Sequence, residues 1–189
     1  MSVAAPATPP GTLPDLGRTG RLRLRLVETR DAPVYLELLN DPAFIEHIGD
    51  RGVRTIEAAV KSIEEGPVAM QRARGHSMYM VELLDGGVPL GLCGLIKRDA
   101  LEDVDIGYAF LSRHRGQGYA FEAAQAVVAH ARSLGIPRLA AITTPGNTAS
   151  IALLRKLGMR FEGARVLAAG EPALNLYRMD LLPAQVAQG

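Results

Sequence analysis

The sequence is poor in several residue types that mark particular classes of protein. It has a single cysteine, Cys93, no tryptophan and only 5% aromatic residues. One cysteine excludes a disulfide framework within the chain and a zinc site built mainly from thiolates. Because Cys93 lies in the apolar stretch GLCGL, we expect a buried thiol that behaves as a small hydrophobic side chain. These features favour a cytoplasmic protein in a reducing compartment.

Long hydrophobic runs and a charge excess are also missing. No stretch approaches the roughly 20 apolar residues of a membrane span, and the N-terminal region lacks the basic and apolar segments of a signal peptide. The 21 basic and 20 acidic residues leave a formal net charge of +1. Bulk charge therefore gives no support for a nucleic-acid or membrane partner, and any bound anion must be held by a local site.

Composition divides the chain into one domain and two tails. Prolines at positions 6, 9, 10 and 14 indicate a flexible Pro/Ala-rich tail over residues 1–19. Residues 20–183 are expected to form a single domain, because the 48% hydrophobic content can fill one core. Residues 184–189 are expected to be a short C-terminal tail.

The hydrophobic patterns predict an α/β protein with one mixed sheet and helices on both of its faces. Alternation predicts strands over residues 21–28, 77–84, 89–97, 104–111, 137–144, 159–166 and 173–182. Helical periodicity predicts helices over residues 32–39, 42–47, 119–134 and 147–158. A further helix is expected to begin after Thr55 and to end at Gly66.

A glycine-rich loop stands between the strand at 104–111 and the helix at 119–134. Such a loop can present backbone N–H groups and a helix N-terminus to a phosphate group. The sequence contains no Walker motif, and the dinucleotide fingerprint fails because Phe121 stands where its last glycine belongs. The run RGQGYA fits a third pattern, R-x-x-G-x-A, in which Gly116 and Gly118 would let N–H groups face a pyrophosphate. The alternative is a structural turn before a buried helix.

The residues around this loop resemble the GNAT superfamily of acyl-CoA-dependent N-acyltransferases, whose pyrophosphate loop carries R-x-x-G-x-A. The similarity covers about residues 19–182, with DIGYAFLSRHRGQGYAFEA, NTASIALLRKLGMRFEG and the opening GRLRLRLVETRDAPVYLELLNDP. These runs look like the branch that contains the ribosomal-protein N-terminal acetyltransferases (Rim type). The resemblance implies a GNAT fold with a central mixed, mostly antiparallel, splayed sheet of about 6–7 strands. It also implies acetyl-CoA as cosubstrate and no metal.

The resemblance assigns coenzyme contacts to three segments. The backbone of the strand before the loop would bind pantetheine and polarise the thioester carbonyl, opposite a splayed partner at residues 141–143. The loop would bind the pyrophosphate, and Asn147 would bond the pantetheine arm or only cap the last helix. The coenzyme-binding residues expected are Tyr108, Ala109, Phe110, Arg113, Arg115, Gly116, Gln117, Gly118, Tyr119, Ala120 and Asn147.

Two catalytic residues follow from the same resemblance. Asp105 stands in DIGY, where the branch usually has glutamate, and would accept the proton of the attacking amine. Glu102 and Asp103 are nearby acids that could serve instead, and Asp105 could also be a solvated strand residue. Ser150 would lie near the sulfur as a proton donor, or would serve only the first turn of its helix.

Together these expectations describe an N-acetyltransferase. It would transfer an acetyl group from acetyl-CoA to a primary amine, on a protein N-terminus or a small molecule, by direct attack in a ternary complex. Two alternatives stay open: a non-catalytic acyl-CoA-binding sensor or scaffold, and an enzyme that uses a longer acyl-CoA. The acceptor pocket is expected from residues 50–75 and the last hairpin, in a monomer or homodimer.

Overall fold

One open sheet of eight strands organises the chain in a computed structural model that describes residues 16–181. The strands are β1 (Gly17–Arg18), β2 (Leu22–Leu26), β3 (Met78–Leu83), β4 (Pro89–Ile96), β5 (Val104–Phe110), β6 (Arg138–Thr143), β7 (Arg160–Arg165) and β8 (Leu174–Asp180). The α-helices are α1 (Ala32–Leu39), α2 (Pro42–His47), α3 (Ile56–Ile63), α4 (Ala69–Arg74), α5 (Tyr119–Ser133) and α6 (Thr148–Lys156). None of the helices in the described part of the chain is long and apolar enough to cross a membrane.

The sheet separates two hydrophobic cores, as the expected helices on both faces require. On one face, the alanine and valine side chains of α5 pack with α6 against the sheet, and Ala123, Ala124 and Val127 are fully buried. These residues recur at the helical period, which explains why the sequence forms a long helix at this position. On the other face, α1, α2 and α3 cover the sheet through residues such as Leu38 and Phe44.

The strand order is β1-β2-β3-β4-β5-β6-β8-β7, and all neighbours except β5 and β6 run antiparallel. The parallel pair is short: only Val104 with Leu139 and Asp105 with Ala140 are in register. Residues 106–110 of β5 remain paired with β4 on their other side, but have no register partner on β6. The sheet is therefore splayed at its centre, which leaves one edge of β5 free to bind a ligand by its backbone groups.

The strand count exceeds the expected six or seven because of β1. Gly17 and Arg18, which the sequence placed in the tail, pair with Leu24 and Arg23 of β2. The alternation that marks longer strands cannot be read in a strand of only two residues, so the sequence gives no sign of this edge. Residues 1–15 and 182–189, which hold most of the two expected tails, lie outside the described residues.

The expectation that the third helix ends at Gly66 was wrong. A π-helical turn over Glu64–Val68 carries the chain from α3 directly into α4. Pro67 lies inside that turn, where it has no N–H to donate and its ring would clash with a carbonyl one α-turn earlier. Widening the turn relieves this clash, and the helix ends instead at Gly75, which adopts a left-handed φ of 73°.

Candidate active site

A cleft of about 950 Å³ runs through the opening between β5 and β6. It begins at the glycine loop and the start of α6, crosses the sheet at the splay, and continues under α1, α2 and the π-helical turn. Most of the residues singled out in the sequence line it: Asp105, Tyr108, Ala109, Phe110, Arg115, Gly116, Gly118, Tyr119, Ala120, Asn147 and Ser150. Arg113 and Gln117 do not line it.

The glycine loop has the conformation that its two glycines permit. Gly116 and Gly118 adopt φ values of 75° and 81°, in the left-handed region that side chains disfavour. Gly118 is the N-cap of α5, so the first N–H groups of a 15-residue helix open from the loop. The positive end of the helix dipole and these unpaired donors make this loop suitable for an anion such as pyrophosphate.

An ion pair that the sequence did not indicate braces this loop. The carboxylate of Glu122 in the first turn of α5 accepts hydrogen bonds from Thr19 (2.5 Å), from the Arg21 backbone N–H (2.8 Å) and from Arg21 Nε (2.7 Å). Arg21 also donates to the Gln117 carbonyl at 3.0 Å, and its guanidinium lies 4.6 Å from the centre of the Tyr119 ring. Burial acts to raise the pKa of Glu122, but the bonds from Thr19 and Arg21 lower it overall. Glu122 is thus a structural brace for the loop.

Both loop arginines are already engaged by carboxylates. Arg115 Nη2 lies 2.8 Å from Asp41 Oδ1, and Arg115 Nε donates to the Phe110 carbonyl at 2.8 Å. Arg113 pairs with Glu37 on α1. These contacts tie the loop to α1 and α2. A cation at the outer end of the cleft is Lys156, whose Nζ lies 4.1 Å from the centre of the Phe121 ring.

Asp105 is a buried carboxylate at the point where β5 and β6 separate. Its Oδ2 accepts a hydrogen bond from Arg98 Nε at 2.6 Å, and its side chain is only 2% exposed. Its Oδ1 is buried and has no hydrogen-bond partner among the described residues. Burial raises the pKa of Asp105 to about 6, although the ion pair with Arg98 and, more weakly, the nearby Ile142 backbone N–H oppose that rise. Such a carboxylate can take up a proton near neutral pH.

Tyr108 and Ser150 meet across the cleft. The Tyr108 hydroxyl lies 2.9 Å from Ser150 Oγ. Asn147 caps α6 by accepting the Ser150 N–H at 3.0 Å, so the capping role expected for Asn147 is present. Burial raises the pKa of Tyr108, and its hydroxyl therefore stays protonated at neutral pH. When Tyr108 donates to Ser150 Oγ, the Ser150 hydroxyl proton is free to point into the cleft.

The two alternative acids belong to a surface network instead. Asp103 pairs with Arg138 and Arg178, each at 2.9 Å, and the side chain of Glu102 is 76% exposed beside the same arginines. Neither acid lines the cleft. Of the three candidate acids, only Asp105 faces the space between β5 and β6.

Sequence reasoning missed Arg98 altogether. It also missed the role of the Tyr108 side chain, because the resemblance assigns Tyr108 only through its backbone. The pairing of β4 with β5 offers a signal for Arg98. Ile96 at the end of β4 pairs with Asp105 on β5, so the IKRD run that begins at Ile96 lies beside that carboxylate. No comparable signal exists for Tyr108, because its partner Ser150 is 42 residues away on a helix. Contacts between a strand and a distant helix are set by packing rather than by spacing along the chain.

Comparisons with known proteins show what the chain is similar to. Residues 21–160 match the family described as the acetyltransferase (GNAT) domain. The uncharacterized protein YkkB of Bacillus subtilis is 34% identical over 150 residues, or 76% of this chain and 84% of YkkB. The uncharacterized N-acetyltransferase YoaA of Bacillus subtilis is 29% identical over 77% of this chain and 82% of its own length.

A solved structure shows the same fold. The RimL ribosomal L7/L12 alpha-N-protein acetyltransferase in complex with coenzyme A superposes with a TM-score of 0.75. It is 20% identical, and the alignment covers 88% of this chain and 98% of RimL. The mixed, mostly antiparallel, splayed sheet predicted from the sequence is therefore confirmed. The chain belongs to the GNAT family of acetyltransferases.

Proposed function

We propose that this protein transfers the acetyl group of acetyl-CoA to a primary amine by direct attack in a ternary complex. The observation that carries the proposal is the position of Asp105. Its unpartnered Oδ1 lies in the same cleft as the Tyr108–Ser150 pair and the glycine loop, at the point where the sheet opens. A candidate proton acceptor and a candidate proton donor thus line the same cleft.

The coenzyme half of the cleft supplies binding groups of three kinds. The N–H groups around Gly116 and Gly118 and the N-terminus of α5 would hold the pyrophosphate. The free edge of β5 at residues 108–110 would bond the pantetheine arm, and a backbone N–H there would polarise the thioester carbonyl. The Asn147 amide N–H₂ group would add a further donor, because only its oxygen is occupied by capping.

The acceptor must lose a proton to complete the reaction. The amine nitrogen attacks the carbonyl carbon of the thioester, and Asp105 Oδ1 takes the proton that the nitrogen loses, directly or through one water. The carbon–sulfur bond then breaks, and the thiolate of coenzyme A leaves with the electron pair. The Ser150 hydroxyl, held by Tyr108, would donate a hydrogen bond or its proton to that thiolate.

Calorimetric titration of acetyl-CoA tests the coenzyme half of the proposal. Gly118→Ala introduces a side chain at a φ of 81° and moves the donors of the loop, so we expect affinity to fall by at least about 10-fold. Gly135→Ala is a matched control, because Gly135 follows the other end of α5 with a φ of 72° and does not line the cleft. Equal affinities for the two variants would contradict the proposed phosphate loop.

Measuring thiol release with an amine panel then separates an enzyme from an acyl-CoA-binding sensor. Transfer that depends on both acetyl-CoA and an amine supports the proposal. Tight binding of acetyl-CoA without transfer to any amine would favour the sensor instead.

A further inference from the structure

The cleft continues past Asp105 into a chamber on the α1–α4 side of the sheet. We define this acceptor chamber by Tyr35, Leu39, Phe44, Ile48, Met70 and Met78, which line its walls. These side chains come from α1, α2, α4, β3 and the segment after α2, and all but the exposed Ile48 are buried or half-buried. The chamber lies beyond the splay from the glycine loop, where the acceptor has to enter.

We propose that the acceptor is a monoamine carried by an apolar body, an arylalkyl or alkyl amine rather than a polyamine or an amino sugar. This inference rests on the proposed function, because it names the acceptor of the same site. Its first basis is charge. Among the described residues that line the cleft, Asp105 is the only carboxylate, and its Oδ1 offers one free acceptor. Because Asp105 Oδ2 is already paired with Arg98, only Oδ1 is left to accept a hydrogen bond from one ammonium group.

The basic side chains around the chamber act against acceptors with several positive charges. Arg98 is held by Asp105, and His47 bonds the Thr144 hydroxyl at 3.2 Å. Arg51 lines the cleft and has no carboxylate partner within residues 16–181. A second or third ammonium group on the acceptor would therefore meet an arginine instead of a carboxylate, and like charges repel.

The walls act against acceptors rich in hydroxyl groups. Aliphatic, aromatic and thioether side chains form most of the chamber surface, and apart from Arg51, Arg98 and His47 it offers few polar groups such as the Ser62 hydroxyl. Hydroxyl groups buried against such walls lose hydrogen bonds to water without replacing them, and we expect about 10-fold lower kcat/KM for each hydroxyl left unpaired. An apolar body gains from the same contact, since burial of its surface is favourable.

Initial rates with four probes test the inference: phenethylamine, hexylamine, spermidine and glucosamine. We expect kcat/KM for the two apolar monoamines to exceed the values for spermidine and glucosamine by at least about 10-fold. Arg51→Glu places a second carboxylate at the chamber and should shift the ratio of spermidine to phenethylamine upward by about 10-fold. Arg54→Glu makes the same change of charge three residues away, outside the cleft lining, and should leave that ratio unaltered.

The outcomes separate the inference from the function on which it rests. A protein that binds no acetyl-CoA fails the proposed function itself. If acetyl-CoA binds but spermidine, glucosamine or a peptide with N-terminal serine is acetylated faster than phenethylamine, the apolar-monoamine inference is overturned. It is also overturned if acetyl-CoA binds and neither apolar amine is acetylated. If Arg51→Glu and Arg54→Glu shift the ratio of spermidine to phenethylamine equally, the charge at position 51 does not select the acceptor.

Discussion

At the residue scale, we expect Asp105 to set how the proposed reaction depends on pH. Its pKa is raised to about 6, so the carboxylate is ionised and able to accept a proton only above that pH. Asp105→Asn keeps the size of the side chain and removes its basicity. We expect kcat to fall by about 10²- to 10⁴-fold, as measured by thiol release at saturating acetyl-CoA.

The pH profile makes the assignment specific. In the wild-type protein kcat/KM should rise with pH through about 6, and that limb should vanish in the Asp105→Asn variant. A limb that reports deprotonation of the amine itself would remain in both proteins. Glu102→Gln is the control, because this exposed acid does not line the cleft and should leave the profile intact. If the rise of kcat/KM through this pH is retained in Asp105→Asn, a group other than Asp105 is the base.

The Tyr108–Ser150 pair leads to a second prediction. If Tyr108 acts by holding Ser150, Tyr108→Phe should lower kcat by less than Ser150→Ala does. In the Ser150→Ala variant, the additional change Tyr108→Phe should then lower kcat no further. The coupling energy from this double-mutant cycle is expected at about 0.5–3 kcal/mol, the range for groups in direct contact. Tyr79→Phe removes another buried hydroxyl, bonded to His130 at 3.2 Å, and serves as the control. Strictly additive losses of kcat would show that the two hydroxyls act independently.

At the element scale, the helical run from α3 through the π-helical turn to α4 contains two glycines of opposite character. Gly66 has no positive φ, and a Cβ built there meets nothing within 4 Å. Gly75 ends α4 with a left-handed φ of 73°. Gly66→Ala should raise the free energy of unfolding by about 0.4–1 kcal/mol, while Gly75→Ala should lower it by about 1 kcal/mol.

Urea denaturation followed by circular dichroism measures both changes. Because the two substitutions add the same methyl group to one helical run, they control for each other. If Gly66→Ala lowers the free energy of unfolding instead, the turn needs a backbone conformation that favours glycine. That result would be expected if the helix ended at Gly66. Pro67 explains why a helix-ending pattern can occur within a helix, since the widened turn accommodates the missing N–H.

At the scale of the whole molecule, the coenzyme would join the two parts of the sheet. Strands β1–β5 and β6–β8 are linked in the sheet by only two residue pairs, and the proposed coenzyme site lies between them. A ligand that binds only the folded state at 100 times its Kd adds about 2.7 kcal/mol to the stability. We therefore expect acetyl-CoA to raise Tm in thermal denaturation by several degrees.

Gly118→Ala provides the comparison for this whole-molecule effect. At the same concentration of acetyl-CoA, its Tm should rise by less than that of the wild type, whereas Gly135→Ala should keep the full rise. A Tm that does not respond to acetyl-CoA in the wild type would contradict the placement of the coenzyme between the two parts of the sheet.

Local patterns along the chain are enough to predict most of the elements and to indicate the family. Alternating and helical periods are local signals, and they predicted seven of the eight strands and the main helices. The R-x-x-G-x-A run and the stretch from Asn147 to Ser150 are short segments in which conformation is set by neighbouring residues, such as Gly118 at the start of α5 and Asn147 capping α6. Such local signals identify most elements of the fold, whereas the proposed coenzyme loop and Asp105 as a candidate base come from the resemblance to the GNAT family.

The surroundings of these residues follow from how the folded chain packs. The partners of Ser150 and Glu122 lie 42 and up to 103 residues away along the chain. The burial that raises the pKa of Asp105, the splay beside it and the apolar acceptor chamber arise from helices and strands packing together from distant parts of the chain. No local pattern specifies such contacts, because packing satisfies volume and polarity over the whole core rather than spacing in the sequence.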